Sequence, residues 1–429
     1  MTALLPRRVL VAGLSTRAAA ESAARAGFVV TGIDAFGDLD QDPRVRTLSL
    51  PRDFGARFTA AAAARASRNI ECDAVAYLSN FENHPRAVGT LATGRALWGN
   101  APAVLQRVRD PMLVARAFRG RGCAAPDVHV PDAYVVSGFR RTSMQPPRGN
   151  VRLPAPSFGE GKPDTTSVND GRWLVKPLAS GGGYRVRPWP RATPLPRGCY
   201  LQERVDGTPG SVAFVAAGGR AVPLGVSRQL VGEHAFGATG YQYCGNILMA
   251  AGDADDAALV DRACALAHAV AEEFGVVGVN GVDFVVRDGV PYAIEVNARW
   301  TASMELVERA YGLSVFGAHA AACAAGALPE FDLVQARRGA VAVGKAVVFA
   351  RRDVVVGDTR AWLPKNNVGN VDAAATVRDI PHPGERIAAG RAVCTVFATG
   401  RGEVACHRAL VRRAERVYAE LAAWEREVA

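Results

Sequence analysis

Lysine is almost missing from this chain. Of 51 basic residues four are lysines (Lys162, Lys176, Lys345 and Lys365), which leaves 47 arginines. A lysine in a special setting therefore carries information. Long apolar runs are missing too. Residues 341–350 are interrupted by Gly344 and Lys345, and nothing approaches the roughly 18 apolar residues that a membrane span needs. The first ten residues carry Arg7 and Arg8 but no apolar core and no cleavage-like site. We expect no signal peptide and a cytoplasmic protein. None of the eight cysteines stands in a C-x-x-C pair, which argues against a zinc site and against a disulfide framework. The histidines His129, His234, His319, His382 and His407 have no metal-like spacing.

What is present bounds the answer. The chain has 429 residues, of which 49% are hydrophobic and 21% charged. That is too long for one ordinary domain and apolar enough to bury real cores. The net charge of +10 favours acidic partners, either nucleotides, polyanionic metabolites or nucleic acid. An arginine-rich coding bias would give the same number. No nucleic-acid motif and no aromatic–basic stripe is found, so neither nucleic acid nor membrane is expected as a partner.

Residues 8–13 (RVLVAG) read as a buried strand, 15–26 as a helix closed at Gly27, and 28–34 as a second strand. This is the opening of an α/β sheet. Gly13 stands alone, without G-x-G-x-x-G, so Asp34 at the end of the second strand is a weak sign of a dinucleotide site. Residues 105–122 read as one helix. Residues 140–171, rich in Pro, Gly, Ser and Arg, read as a long insertion. Strands are expected at 173–176, 199–205, 211–216 and 221–227. A helix over 256–274 presents Leu259, Ala263, Leu266, Val270 and Phe274 on one face. The pair Asp288-Gly289 joins two strands, 281–287 and 291–296, into a hairpin. The chain finishes in a helix with Leu410, Ala414, Val417, Leu421 and Trp424 on one face.

Three segments carry chemistry. In WLVKPLASGGGYRV (173–186) a strand delivers Lys176, and Ser180, Gly181, Gly182 and Gly183 form a loop after it. Glycines let backbone N–H groups approach phosphate oxygens, and an ammonium neutralises them. The alternative is a hairpin turn with a surface lysine. On the later hairpin, Glu295 and Asn297 are two apart and so face one side, and antiparallel pairing brings Asp283 beside them. Two carboxylates and an amide are hard oxygen donors that suit Mg²⁺ shared with phosphates. A hairpin with ordinary surface acids is the competing reading. In YLQERVDG (200–207) an apolar strand bearing Gln202 and Glu203 runs into Asp-Gly, a hinge whose backbone can read a base edge.

In this order the segments resemble the ATP-grasp superfamily, over about residues 75–335. Residues 77–85 (YLSNFENHP), 97–111 and 122–128 look like the entry to that fold in biotin carboxylases and purine-pathway ligases. The chain also resembles predicted ATP-dependent carboligases of methylotrophs through Phe81–Pro85, Gln202-Glu203, Tyr243–Asn246 and Glu295–Glu305. The resemblance implies an ATP-grasp fold in three parts: an N-terminal α/β domain (1–104), an ATP-grasp domain (105–337) and a small C-terminal α+β domain (338–429). It implies that Lys176 contacts the α/β phosphates and that Ser180–Gly183 cover the triphosphate. Glu203 and Val205 would bind adenine through the backbone, and Asp206 would reach the ribose. Asp283, Glu295 and Asn297 would hold Mg²⁺, with Glu295 bridging two ions. Arg299 would stabilise the transferring phosphoryl group. Arg228, which ends its strand with Gln229, would lie opposite the phosphates and act with Arg299 as a catalytic residue at the reaction centre. Many relatives place a second ATP lysine in a G-D-K segment. Here that stretch reads Arg109-Asp110-Pro111, so Arg107 or Arg109 substitutes for it or the contact is absent.

The implied reaction is ATP-dependent joining of a carboxylate and an amine through an acyl phosphate. The resemblance extends to adding glutamate to a one-carbon coenzyme such as methanofuran or tetrahydromethanopterin, and the arginine excess suits anionic small-molecule substrates. A homodimer is left open. The competing reading is a nucleotide-binding regulatory or scaffold protein that keeps the fold without ligase activity. The glycine-rich stretch 231–246 is expected to close over substrate, and His84 in FENHP to contact a ligand at the domain seam.

Overall fold

The computed structural model describes residues 7–130, 171–190, 193–252, 254–363 and 376–428. Nearly all of the insertion expected at 140–171 lies outside them. The chain opens with five parallel strands: β1 (Arg8–Ala12), β2 (Val29–Asp34), β3 (Val45–Ser49), β4 (Ala74–Tyr77) and β5 (Ala96–Trp98), ordered β3-β2-β1-β4-β5. The central strand β1 is apolar on both faces, as a covered parallel sheet requires. Its Leu10 and Ala12 enter one core while Val9 and Val11 enter another. Gly13 has a packing reason: a Cβ there would lie 2.5 Å from that of Leu78. Asp34 is buried and accepts from Thr16 Oγ1 (2.8 Å), Phe36 N (3.1 Å) and Gly37 N (2.7 Å). It closes its own loop, so the weak dinucleotide sign is a structural staple.

The helix expected over 105–122 is two helices, Pro102–Val108 and Pro111–Gly120. Pro111 lacks an N–H and cannot continue a helix, but it suits a first turn. Asp110 caps that turn by accepting from Met112 N (2.9 Å) and Leu113 N (3.1 Å). The break leaves Arg109 at a corner between the two axes.

A second sheet holds β6 (Val128–His129), β7 (Trp173–Pro177), β8 (Arg187–Pro188) and β9 (Cys199–Glu203), ordered β6-β9-β7-β8 and antiparallel throughout. The remaining strands are β10 (Thr208–Ala217), β11 (Arg220–Val231), β12 (Tyr243–Leu248), β13 (Gly278–Arg287), β14 (Val290–Asn297), β15 (Ala342–Phe349), β16 (Val354–Val355), β17 (Val377–Arg378), β18 (Arg386–Ile387) and β19 (Ala392–Gly400). β16 pairs with β18, and the other eight form one sheet, β14-β13-β10-β11-β12-β15-β19-β17. This sheet runs across residue 338, because β12 pairs with β15.

The two faces of the large sheet differ. Val212, Val226, Val282 and Val296 pack with the helix Ala254–Phe274. That helix starts its buried face at Val260 rather than Leu259. Farther along, Leu410, Ala414, Val417, Leu421 and Trp424 of the helix Glu403–Val428 fill a separate core with Ile247 and Ala346. Across β14, β13, β10 and β11 the registered row Glu295, Asp283, Ser211 and Ser227 lies on the opposite face. Among the described residues no helix is long and apolar enough to cross a membrane.

Candidate functional site

The β13–β14 hairpin builds an acidic centre. Asp288 (φ 51°) and Gly289 (φ 72°) make its turn, and the register sets Asp283 against Glu295. Asn297 Nδ2 donates to Asp283 Oδ2 at 2.9 Å, and Gln229 Nε2 donates to Oδ1 at 2.9 Å. The three residues expected to hold Mg²⁺ therefore come together, with Gln229 beside them. Burial, and then the charge of Glu295, push the Asp283 carboxyl up to about 6 against the Asn297 hydrogen bond. Burial acts to raise Glu295 as well. There Arg109 and then Lys176 outweigh it and hold the carboxyl below its ordinary value.

Lys176 comes to this centre from β7. Its Nζ donates to Gln202 Oε1 at 3.0 Å, and Gln202 Nε2 donates to Ile294 O at 3.2 Å. Gln202 is buried and fixes the ammonium between the small sheet and β14. The Ser180–Gly183 loop follows. Gly182 and Gly183 have φ of 62° and 76°, and a Cβ on Gly183 would fall 1.7 Å from Tyr241 O. Only glycine fits there. Arg109 closes the group from the helix break, pairing with Glu295 through Nη1 and donating from Nη2 to Ser180 O at 3.1 Å. Arg107 points elsewhere, to Glu273 O at 2.8 Å. Arg109, Lys176, Ser180, Tyr200, Ile294 and Glu295 line one narrow cleft.

Arg299 is tied to the same group. It donates from Nε to Glu82 Oε1 at 2.6 Å and from Nη2 to Asn297 Oδ1 at 3.0 Å. Glu82 belongs to FENHP and is 2% exposed, whereas His84 of that motif is exposed at the start of the helix Pro85–Leu91. The seam is made by the glutamate.

Other expected residues are not brought in. Arg228 shares a strand face with Val226, opposite Gln229 and Asp283. Its guanidinium pairs with Glu403 at the start of the last helix and lies 3.7 Å from Glu233. Asp206 is exposed and bonded to Arg204 at 2.7 Å. Glu203 spends its N–H on Asp127 O at 2.8 Å, and Val205 follows β9 half-buried. The stretch 231–246 does not stand free. Phe236 and Ala238 are buried in the core under the last helix, Glu233 meets His407 at 2.6 Å, and Tyr243 N donates to Gly182 O at 3.1 Å.

A second charged cluster was hidden from pattern reading. Glu305 accepts from Lys345 Nζ at 2.7 Å and from Arg17 Nη2 at 3.0 Å, with Arg309 at 3.7 Å. Burial would raise this carboxyl, but Arg17, Lys345 and Arg309 hold it well below its ordinary value. The available signal was Lys345 itself, a rare lysine inside an apolar strand.

The donor set fits a hard divalent cation. Asp283 and Glu295, set side by side by the strand register, and Asn297, hydrogen-bonded to Asp283, offer hard oxygen donors. Among the described residues no group of three or more His, Cys, Asp or Glu is arranged to hold a metal. The fit is to a cation shared with phosphate oxygens rather than to a closed protein cage.

Residues 148–303 match the family profile of an ATP-grasp domain. No curated protein sequence matches the chain. Solved structures match along nearly its whole length. An L-amino acid ligase from Bacillus licheniformis is 13% identical, with 96% of this chain and 98% of that one covered and a TM-score of 0.61. Biotin carboxylase from Campylobacter jejuni, solved with an ATP analogue, is 12% identical over 93% and 88%, TM-score 0.61. N5-carboxyaminoimidazole ribonucleotide synthetase, solved with ADP, is 16% identical over 100% of each chain, TM-score 0.59. The chain has the ATP-grasp fold.

Proposed function

We propose that the chain is an ATP-dependent ligase joining a carboxylate to an amine. The observation that carries the reading is the convergence of Lys176, Arg109 and Glu295, from three separate elements, on one cleft beside a glycine-rich loop, with Asp283 set against Glu295 by register and hydrogen-bonded to Asn297. Lys176 and the Ser180–Gly183 loop bind and orient the phosphates. The backbone of Glu203 and Val205 at the end of β9 would receive the base, and Asp206, bonded here to Arg204, would have to exchange that partner to reach the ribose. Asp283, Glu295 and Asn297 would hold Mg²⁺, which when bound would neutralise the phosphate oxygens.

The substrate carboxylate attacks the γ-phosphorus, the bond to the β–γ bridging oxygen breaks, and ADP leaves. The amine then attacks the acyl carbon, loses its proton and expels phosphate. Arg299, braced by Glu82, faces the charge that develops on the transferring group. No side chain need act as a covalent nucleophile, since positioning and charge neutralisation supply the acceleration.

The excess of arginine supports an anionic acid. The sequence resemblance points to the addition of glutamate in the making of a one-carbon coenzyme of the methanofuran or tetrahydromethanopterin kind. Arg109 in the cleft weakens the case for a non-ligase scaffold, since it supplies a cation where the lysine of relatives is lacking. The test is ADP release from Mg-ATP with paired acids and amines, and mass spectrometry of the product. ADP formed only when an acid and an amine are both present, with an amide product, is expected. Nucleotide binding with no acid-dependent ADP release across the panel would leave the scaffold reading standing instead.

A further inference from the structure

Arg109 touches two parts of the cleft at once. Nη1 pairs with Glu295 and Nη2 donates to Ser180 O at 3.1 Å. Asn83 Nδ2 reaches the same carbonyl at 3.3 Å. The Arg109 side chain is 10% exposed, and its Nε, fully buried, has no hydrogen-bond partner among the described residues. One planar guanidinium thus spans the acid proposed for Mg²⁺ and the loop proposed for the phosphates. A lysine ammonium, a point charge on a flexible stem, does not offer that two-ended fork. The backbone beneath is fixed: Arg109 ends one helix, and Asp110 and Pro111 begin the next. Movement is left to the side chain.

The same contacts are in conflict with the proposed ligands. A carboxylate oxygen that accepts from a guanidinium presents less of its charge to a cation. A guanidinium bonded to a carboxylate and a carbonyl is likewise withheld from phosphate, although its charge-assisted bonds to phosphate would be at least as strong.

We propose that Arg109 is a latch at this site. It serves as counter-ion to Glu295 and pin of the Ser180 loop until Mg²⁺-nucleotide arrives, and it then gives up both and turns to the phosphates. This rests on the nucleotide reading above and adds to it a regulated step. Metal alone must compete with Arg109 for Glu295, whereas metal with nucleotide offers Arg109 a new partner. The design favours the paired ligand over either component.

The experiment uses the full chain, wild type and Arg109→Gln and Arg109→Lys, with Mn²⁺ alone followed by electron paramagnetic resonance and Mg-ADP followed by calorimetry. Arg109→Gln should bind Mn²⁺ about tenfold more tightly and Mg-ADP about tenfold more weakly, one charge-assisted contact being removed in each case. Arg109→Lys, which keeps the charge without the fork, should share the gain for Mn²⁺ and lose less for Mg-ADP. Adding Glu295→Gln to Arg109→Gln should abolish the Mn²⁺ gain.

Mn²⁺ affinity that is unchanged or falls in both variants overturns the latch, and so does unchanged Mg-ADP affinity in Arg109→Gln. Wild type that binds no adenine nucleotide overturns the functional reading itself and the phosphate half of the latch with it. The Mn²⁺ series would still report whether Arg109 guards Glu295. A variant that unfolds is recognised by circular dichroism, and Arg109→Lys then carries the test.

Discussion

Arg299 and Glu82 lie 217 positions apart in the chain and 2.6 Å apart in space. The pair ties the end of the β14 segment, which holds the acidic centre, to the turn that follows β4 in the N-terminal unit. Because Glu82 is 2% exposed, removing its partner strands a buried carboxylate. Arg299→Ala should therefore cost about 3–5 kcal/mol of stability as well as turnover. The double variant with Glu82→Gln should recover part of the stability and none of the activity. Urea denaturation beside a turnover assay separates the two effects. Equal stability of the single and double variants would show that the pair is not what holds this seam.

Lys176 reaches the cleft from a strand, positioned by Gln202 at 3.0 Å. Lys176→Ala should weaken Mg-ADP binding by one to two orders of magnitude. The rise in melting temperature on adding nucleotide should shrink accordingly, since that rise scales with RT ln(1 + [L]/Kd). Thermal shift over a nucleotide series checks it. An undiminished shift in Lys176→Ala would remove this lysine from the nucleotide site.

Glu295→Gln takes one charge from a carboxylate set suited to a divalent cation. We expect turnover to fall at least a hundredfold with the fold intact. Asp283→Asn, which keeps an oxygen donor at that position, should be less damaging. Wild-type rates in Glu295→Gln, at saturating Mg²⁺, would contradict the assignment.

Arg228 lies on the other face of the sheet and pairs with Glu403 and Glu233 while one-third exposed. Arg228→Ala should change kcat less than threefold and stability by no more than about 1 kcal/mol. A hundredfold loss of kcat would mean that the arginine enters the reaction centre despite its strand parity.

Parity explains much of what sequence could and could not tell. The β13–β14 hairpin was legible because alternating apolar residues and an Asp-Gly turn fix both the strands and their register. Asp283, Glu295 and Asn297 fell into place with it. Arg228 was assigned from a strand's place in a resemblance, which gives no information on which face a residue takes. A step of one residue reverses that face, and Gln229, its neighbour, is the one that meets Asp283. The helix break at Pro111 was written in the sequence, yet its consequence was not, since Arg109 meets Glu295 only across 186 residues. The Glu82 seam and the Glu305 cluster likewise join segments too far apart for any local pattern to pair.

His319 supplies a test of packing that is independent of the site. It is 6% exposed, and its Nδ1 accepts from Val279 N at 3.0 Å, so the ring is neutral and carries its proton on Nε2. Gly278 is glycine partly for this ring, since a Cβ there would lie 2.4 Å from Nδ1. Burial lowers the imidazole to about 4, against the opposing pull of the Trp98 carbonyl. In the unfolded chain the same group titrates at about 6.5. Between those values the unfolded state binds the proton and the folded state refuses it. The stabilising contribution is thus complete above about pH 6.5 and is lost as pH falls towards 4. Between pH 7 and pH 5 the loss attributable to this residue should be about 2 kcal/mol. Carboxylates titrate over the same interval, and Asp283, raised to about 6, pushes the opposite way, so the quantity to measure is a difference. Urea unfolding of wild type and His319→Asn, each at pH 7 and pH 5, isolates it, because the asparagine can accept the Val279 bond but does not titrate. Wild type should lose more stability than the variant over that interval. Parallel losses would mean that His319 is protonated without penalty in the folded protein.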